Sequence, residues 1–257
     1  MTFEEFLNCG RLKAKMPQYT QKKANAVALS TKALQESENP YVAISGGKDS
    51  VAMAFIVDEA AKLCGKSFRL WTHILDASFP GTLETCQKVA EMLKRPLDVY
   101  ESENSAFDAV TKKKKQSFGK TGVFFESVSQ YAADKDLAFV GVRASESKRR
   151  NQAAKVHGQI FYSKSMGDVT VCHPILWFRL ADVAATLFEY NAPIHPIYHK
   201  TTVESGWNAL KEDKFIRLGY ITSKDLLNKG TAVFLRLNYP EQFFRLAERW
   251  PEIRLWV

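Results

Sequence analysis

The stretch VAISGGKDSVAMAF, residues 42–55, joins an apolar run to a segment of helical composition. The run at 40–45 contains two β-branched residues and predicts a short strand, whereas 49–64 has the length and residue types of a helix. Two adjacent glycines, Gly46 and Gly47, lie between them, although glycine loses more backbone entropy on folding than any other residue. We therefore infer that a ligand binds at this turn. Its binding would require either the backbone freedom of glycine or the absence of a side chain.

The loop from Ser45 to Ser50 has the composition of a phosphate-binding turn. In open parallel sheets ligands bind at the carboxyl ends of strands, and a helix N-terminus offers an anion free N–H groups and the positive end of a dipole. Lys48 adds a positive charge, and Asp49 would bind Mg²⁺ or cap the helix. The spacing differs from the G-x-x-x-x-G-K-S/T of a Walker A loop. The alternative is an ordinary glycine-rich turn. The candidate phosphate ligands are Ser45, Gly46, Gly47, Lys48, Asp49 and Ser50.

The rest of the chain alternates strands with helices and predicts an α/β fold. Because such alternation favours a parallel sheet covered on both faces, we predict a Rossmann-like, parallel five-stranded sheet. Helical extensions are expected at 1–38 and 196–257, on either side of an α/β core at 39–195. Strands are predicted at 40–45, 67–75, 96–102 and 137–143, with further short strands at 157–164 and 169–175, and helices at 49–64, 79–94, 121–136 and 179–191. Two prolines predict an irregular loop at 192–200.

The charge of the chain points to anionic partners. The net charge is +8 and the pI about 9.2, which suits nucleotides, nucleic acid or an acidic protein, or serves only solubility. The basic residues form two clusters, Lys112–Lys115 and Arg143–Lys155. The lysine run is equally well explained as a solvated loop.

The four cysteines lack the paired spacing of a structural zinc or iron–sulfur site. The N-terminal stretch has no signal-peptide pattern, and no apolar run reaches the length of a membrane span. We predict a cytoplasmic protein without membrane association.

A second polar motif, GVRASESKRR at 141–150, follows the predicted strand at 137–143. Arg143 would lie at the carboxyl end of that strand, on the same rim as the phosphate loop, and arginine is well suited to bidentate phosphate contacts. Lys148, Arg149 and Arg150 would concentrate further positive charge there. The alternative is a solvated basic turn.

The two motifs together resemble a known family. SGGKDS is similar to the pyrophosphate loop of the PP-loop ATP pyrophosphatase superfamily, and GVRASESKRR resembles the G-x-R-x-x-E-S-x-x-R motif of its phosphoadenylyl-sulfate (PAPS) reductase-like branch. That resemblance implies an adenine-nucleotide α-hydrolase-like fold that binds ATP with Mg²⁺. The residues that match the second motif are Gly141, Arg143, Glu146, Ser147 and Arg150.

The resemblance also implies roles for individual residues. Lys48, Asp49 and Arg143 would be catalytic, with Arg143 stabilising charge near the α-phosphate and Asp49 as the metal ligand. Asp76 and Thr82, in a segment similar to the family's turn after the second strand, would lie near the adenosine. Asp76 remains an alternative metal ligand.

The cysteine pattern departs from that of the reductases. They use a cysteine near the C-terminus, whereas this sequence has none after Cys172. We therefore expect cleavage of ATP between the α- and β-phosphates to activate an acceptor. ATP pyrophosphatases of DNA phosphorothioation systems look similar, which would add a cysteine desulfurase and DNA as partners. The alternatives are a PAPS reductase-like enzyme without the usual cysteine, one that uses Cys172, and a non-catalytic nucleotide-sensing subunit.

Overall fold

The computed structural model describes residues 2–101, 105–107, 123–201, 218–222 and 229–257. The lysine run Lys112–Lys115 and parts of the predicted helical C-terminal region lie outside the described residues. In chain order the helices and strands are α1 (Phe3–Ala14), α2 (Pro17–Gln35), β1 (Pro40–Ala43), α3 (Lys48–Cys64), β2 (Arg69–Ile74), α4 (Thr82–Leu93), β3 (Leu97–Glu101), α5 (Val123–Tyr131), β4 (Leu137–Val140), α6 (Lys148–His157), β5 (Ile160–Ser163), β6 (Val169–Cys172), α7 (Leu180–Glu189), α8 (Ile197–Thr201), α9 (Lys229–Asn238) and α10 (Pro240–Arg249).

The sheet has β1 near its centre, in the strand order β3-β2-β1-β4-β6-β5. Val42 of β1 lies opposite Leu70 of β2 on one side and Phe139 of β4 on the other, in parallel register on both. The chain therefore reverses its direction of winding between β1 and β4. In open α/β sheets such a switch point opens a crevice at the carboxyl ends of the two strands.

The predicted α/β class is confirmed, but the predicted count of five parallel strands is wrong. The sheet contains six strands, and β5 pairs with β6 antiparallel. The reason is the short connection between them, a 3₁₀ turn at Lys164–Met166 followed by Gly167 with φ of 89°. A parallel pair needs a crossover of a dozen or more residues, so a connection of this length forces a hairpin.

Helix α2 begins at Pro17, a residue that suits the first turn of a helix because its missing N–H would have no partner there. Helix α1 packs closely on α7: a Cβ added at Gly10 would lie 2.4 Å from the carbonyl oxygen of Ala184. Helix α3 is buried along most of its length, and β1 and β2 pack beneath it. The N-terminal helices thus belong to the same core as the sheet. None of the helices within the described ranges is both long and apolar enough to cross a membrane.

Candidate active site

The loop between β1 and α3 turns through Gly46, whose φ of 69° lies in the left-handed region that favours glycine. A Cβ on Gly46 would also lie 3.2 Å from the carbonyl oxygen of Thr82, so the loop runs close against the start of α4. Ser50 fixes the other end of the loop. Its hydroxyl accepts the N–H of Ser45 at 3.1 Å and donates to the Gly47 carbonyl at 3.0 Å.

Beside the loop the mostly buried Asp49, 14% exposed, lies between the buried side chains of Lys48 and Arg143. Asp49 accepts hydrogen bonds from the Lys48 ammonium at 2.7 Å and from Nε of Arg143 at 2.6 Å. Burial by itself would raise the pKa of Asp49, but the two cations outweigh it and hold that pKa below its usual range. Burial would likewise lower the pKa of Lys48, and the Asp49 carboxylate reverses this and raises it. Asp49 and Lys48 are therefore both ionised at neutral pH.

Arg143 is fully buried, at 0% exposure, because it packs under the loop. Besides Asp49, its guanidinium donates to the Ser145 hydroxyl at 2.9 Å. In this position it orients Asp49. The predicted contact between Arg143 and an α-phosphate stays a prediction.

The second motif forms the opposite wall. The Glu146 carboxylate accepts the backbone N–H of Arg143 at 2.9 Å and forms an ion pair with Arg150. Ser147 caps α6 by accepting the N–H of Arg150 at 3.1 Å. The Arg150 side chain is 39% exposed, in contrast to buried Lys48 and Arg143. Arg150 is thus the cation of this group that a ligand can reach most readily.

Two adjoining cavities open at this rim and share Ser45, Arg150 and Leu218. The smaller, about 140 Å³, is lined by Ser45, Gly47, Lys48, Asp49, Ser50, Gly141, Glu146, Arg150, Tyr198 and Leu218. The larger, about 390 Å³, is lined by Ser45, His73, Ser78, Thr82, Phe124, Arg150, Leu218, Gly219 and Tyr220. The smaller cavity is lined by charged side chains, which suits the phosphates of a nucleotide. The larger cavity contains aromatic rings, which suits a nucleoside.

Residues 39–225 match the sequence model of the phosphoadenosine phosphosulfate reductase domain. The chain belongs to this family. The match includes both quoted motifs and confirms the predicted place in the PP-loop ATP pyrophosphatase superfamily, within its PAPS reductase-like branch. No curated protein sequence matches the chain.

Solved structures share the fold of this PAPS reductase-family chain. FMN adenylyltransferase from Candida glabrata, with FMN and the ATP analogue AMPCPP, has a TM-score of 0.55 and 14% identity over 77% of this chain and 68% of its own. PAPS reductase from Candida auris, a phosphate complex, has a TM-score of 0.51 and 14% identity over 77% and 91%. The U34-tRNA thiolase NcsA from Methanococcus maripaludis has a TM-score of 0.54 and 13% identity over 91% and 80%. Identities this low establish the fold alone.

The structure brings most of the predicted residues of the PAPS reductase-family site together, but not Asp76. Its carboxylate accepts hydrogen bonds from the Ser105 hydroxyl at 2.7 Å and the Ala106 N–H at 2.9 Å. It also pairs with Arg245 at 3.2 Å, and it is not among the residues that line the two cavities. Its predicted place near the adenosine stays a prediction, whereas Thr82 does line the larger cavity.

The residues present fit a magnesium ion that arrives with a nucleotide. Mg²⁺ in phosphoryl sites is held by one or two carboxylates together with the phosphates of the substrate. Asp49 and Glu146 both line the smaller cavity and could supply those oxygens. Within the described ranges no group of three or more His, Cys, Asp or Glu side chains forms a metal site without a ligand's help.

Two residues of the loop at 192–200 contact the site, although they are far from its two motifs in the sequence. The Tyr198 hydroxyl accepts the backbone N–H of Lys48 at 3.0 Å, and its ring stacks on Phe3 of α1 with centroids 5.2 Å apart. His195 Nδ1 accepts the backbone N–H of Ile197, the first residue of the short helix α8. The loop that was predicted to be irregular therefore contains a helical turn. Sequence analysis did not predict this role, since nothing local in the sequence links Tyr198 to Lys48.

Gly141 should tolerate no side chain. A Cβ there would lie 2.8 Å from Cα and 2.9 Å from N of Ser50, both backbone atoms at the start of α3. Gly141→Ala should therefore lower the free energy of unfolding by about 1–3 kcal/mol, the usual cost of overpacking. Denaturant titration of both proteins measures the difference. An unchanged midpoint would show that β4 and α3 are not in contact here.

The stability of this domain should fall on mild acidification because two histidines are buried in the neutral form. Burial lowers the pKa of both His73 and His195 to about 4. His195 already accepts the Ile197 N–H through Nδ1, and its Nε2 lies 3.2 Å from the Thr82 hydroxyl. Their contribution is complete above the unfolded-state pKa of about 6.5 and is lost as the pH falls towards 4, by up to about 3 kcal/mol each.

Chemical denaturation at a series of pH values between these limits measures this loss. His195→Gln cannot titrate, so we expect it to remove about one proton from the pH slope of the unfolding free energy. A slope identical to that of the unmodified protein would contradict the burial of a neutral His195.

Proposed function

We propose that this chain is an ATP pyrophosphatase that cleaves ATP between the α- and β-phosphates and transfers the adenylyl group to an acceptor. One observation carries the proposal: a buried Lys48–Asp49–Arg143 array lies directly beneath a glycine loop that opens into a charged and an aromatic cavity. The charged cavity suits the β- and γ-phosphates, and the aromatic one suits the nucleoside. The family membership of the chain and the similarity of its fold to an FMN adenylyltransferase support the same conclusion.

The residues would act by positioning and by electrostatic stabilisation. An acceptor oxygen attacks the α-phosphorus, the bond to the bridging oxygen breaks, and pyrophosphate leaves with that electron pair. Lys48 and Arg150 line the cavity where the leaving group gains charge, and Asp49 keeps Lys48 in place. Magnesium, held by the phosphates with Asp49 or Glu146, would neutralise part of the charge of the nucleotide.

The acceptor we propose is DNA, activated for the insertion of sulfur. Adenylylation turns an oxygen into a leaving group, which a sulfur nucleophile supplied by a cysteine desulfurase could then displace. The basic charge of the chain favours a polyanionic acceptor. The similarity of fold to a U34-tRNA thiolase supports the pairing of this fold with sulfur transfer to a nucleic acid.

The experiment is to count pyrophosphate and phosphate separately after incubation with ATP and Mg²⁺, with and without DNA and a desulfurase. We expect pyrophosphate, and its disappearance in Lys48→Ala and in Ser45→Ala. Release of phosphate alone would contradict cleavage between the α- and β-phosphates. Tight ATP binding with no release under any of these conditions would favour the nucleotide-sensing alternative.

The alternative of a reductase that uses Cys172 finds little support. Cys172 lies in β6 at 0% exposure, and burial raises the pKa of its thiol to about 12. A thiolate nucleophile would need the opposite environment. We expect Cys172→Ser to retain pyrophosphate release, and loss of a sulfonucleotide reduction in this variant would restore the reductase interpretation.

A further inference from the structure

A basic segment of which the proposed chemistry uses only Arg150 begins at the rim of the site. From Ser147 to Gly167 the sequence contains five of the chain's 36 lysines and arginines and none of its 28 acids. These residues form α6, the edge strand β5 and the turn after it. The five cations are Lys148, Arg149, Arg150, Lys155 and Lys164.

Most of the surface of helix α6 is exposed. Of its ten residues only Ala154 is buried, and the apolar Val156 is 77% exposed. The helix packs on the protein through Ala154, which belongs to a small apolar cluster with Ala144 and Leu176. The remaining, mostly polar sides of the helix are available to a partner. The remaining polar residues of α6 are donors or amides, with no acid in its first turn.

One face of α6 presents two lysines to solvent. Lys148, Gln152 and Lys155 are related by four and three residues, so they lie on the same side of the helix and are exposed. The helix rises about 1.5 Å per residue, which places the two lysines about 10 Å apart along its axis. We call this face, with the adjacent Asn151, the α6 surface.

The α6 surface is continuous with the candidate active site. Arg150, on the first turn of α6, lines both cavities, and Glu146 just before the helix lines the smaller one. A strand held along α6 would therefore have its backbone delivered to the cavity in which adenylyl transfer is proposed.

We propose that α6 enters the major groove of duplex DNA and that the α6 surface holds the DNA backbone at the site. The major groove of B-form DNA admits an α-helix, whereas the groove of an A-form RNA duplex is too narrow and deep for side chains to read. An exposed basic helix without acids is complementary to such a groove. The inference rests on the proposed function for the purpose of the DNA, but the binding itself does not require ATP.

The test is fluorescence anisotropy of a labelled DNA duplex without ATP, over salt concentrations from about 50 to 200 mM. We compare the whole protein with Lys148→Ala/Lys155→Ala. Each lost phosphate contact removes about 0.9 from the slope of log affinity against log salt, so the slope should fall by about 1.8 and the affinity near 0.1 M salt on the order of 50-fold. Gln152→Glu places a negative charge between the two lysines and should weaken binding while every cation remains.

The matched control is Lys32→Ala/Lys88→Ala, which removes two exposed charges from α2 and α4. It should leave the salt slope unchanged. Circular dichroism and the unfolding midpoint verify that all variants are folded. The proposal is overturned by an absence of DNA binding at the lowest salt, by an equal loss in the control, by unchanged binding in both α6 variants, or by equal affinity for an RNA duplex.

Pyrophosphate release from ATP alone, measured on the same preparations, separates this inference from the proposed function. Pyrophosphate release without duplex binding would overturn only the inference that the α6 surface binds DNA. A protein that binds DNA through α6 but never releases pyrophosphate supports the surface and overturns the proposed enzymatic activity.

Discussion

Asp49→Asn should be among the most destabilising single substitutions in the chain, lowering the free energy of unfolding by about 3–5 kcal/mol. The side chain keeps its size but loses the charge that compensates Lys48 and Arg143, both almost completely buried. Two like charges would then face each other in a low-dielectric interior. Pyrophosphate release should disappear at the same time, because Lys48 would lose the partner that positions it.

The matched control for Asp49→Asn is Asp134→Asn. Asp134 also pairs with a lysine, Lys135, at 2.8 Å, but its side chain is 71% exposed. Exposed pairs contribute little because water and salt screen them, so the control should unfold close to the unmodified protein. Equal midpoints for the two variants in urea would contradict the view that Asp49 compensates buried cations.

Arg150→Ala should reduce activity strongly while destabilising the protein less than Asp49→Asn does. Arg150 lines both cavities and its side chain is 39% exposed, so its removal takes a cation from the phosphates without opening the core. The Glu146 carboxylate loses this ion pair but keeps the hydrogen bond from the backbone N–H of Arg143. Loss of one preorganised charge of this kind costs about 10²–10³-fold in rate. The measurement is kcat/KM for pyrophosphate release, together with the unfolding midpoint.

Two further variants sharpen the Arg150 prediction. Arg150→Lys keeps the charge but lacks the planar fork of donors, so we expect only partial recovery. Arg254→Ala removes an exposed arginine from the C-terminal 3₁₀ turn and should leave kcat/KM unchanged. An Arg150→Ala protein as active as Arg254→Ala would mean that Arg150 does not meet the phosphates.

The predictable part of the site was local in sequence. Gly46 and Arg143 each follow the carboxyl end of a strand, and neighbouring parallel strands bring those ends together, so the alternating pattern alone predicted that the two motifs would meet. The strand boundaries were less predictable. β4 ends at Val140 rather than at 143, because Gly141 must pack against the backbone of α3.

The features missed by sequence reasoning depend on tertiary packing. Arg143 could be placed on the rim, but its burial beneath the loop depends on where Asp49 and Ser145 lie around it. The supporting roles of His195 and Tyr198 depend on contacts with Thr82 and Lys48, more than a hundred residues earlier. Short-range patterns carry no information about such pairs.

The stacking of Phe3 on Tyr198 has a consequence for the order of events during synthesis. Helix α1 is synthesised well before its packing partner α7 and before the Tyr198 ring that stacks on Phe3. The apolar side chains of Phe3 and Phe6 on α1 are therefore exposed to solvent until the sheet has assembled. The acquisition of ATP binding should mark the end of folding, and nascent chains that stop before Tyr198 should lack it.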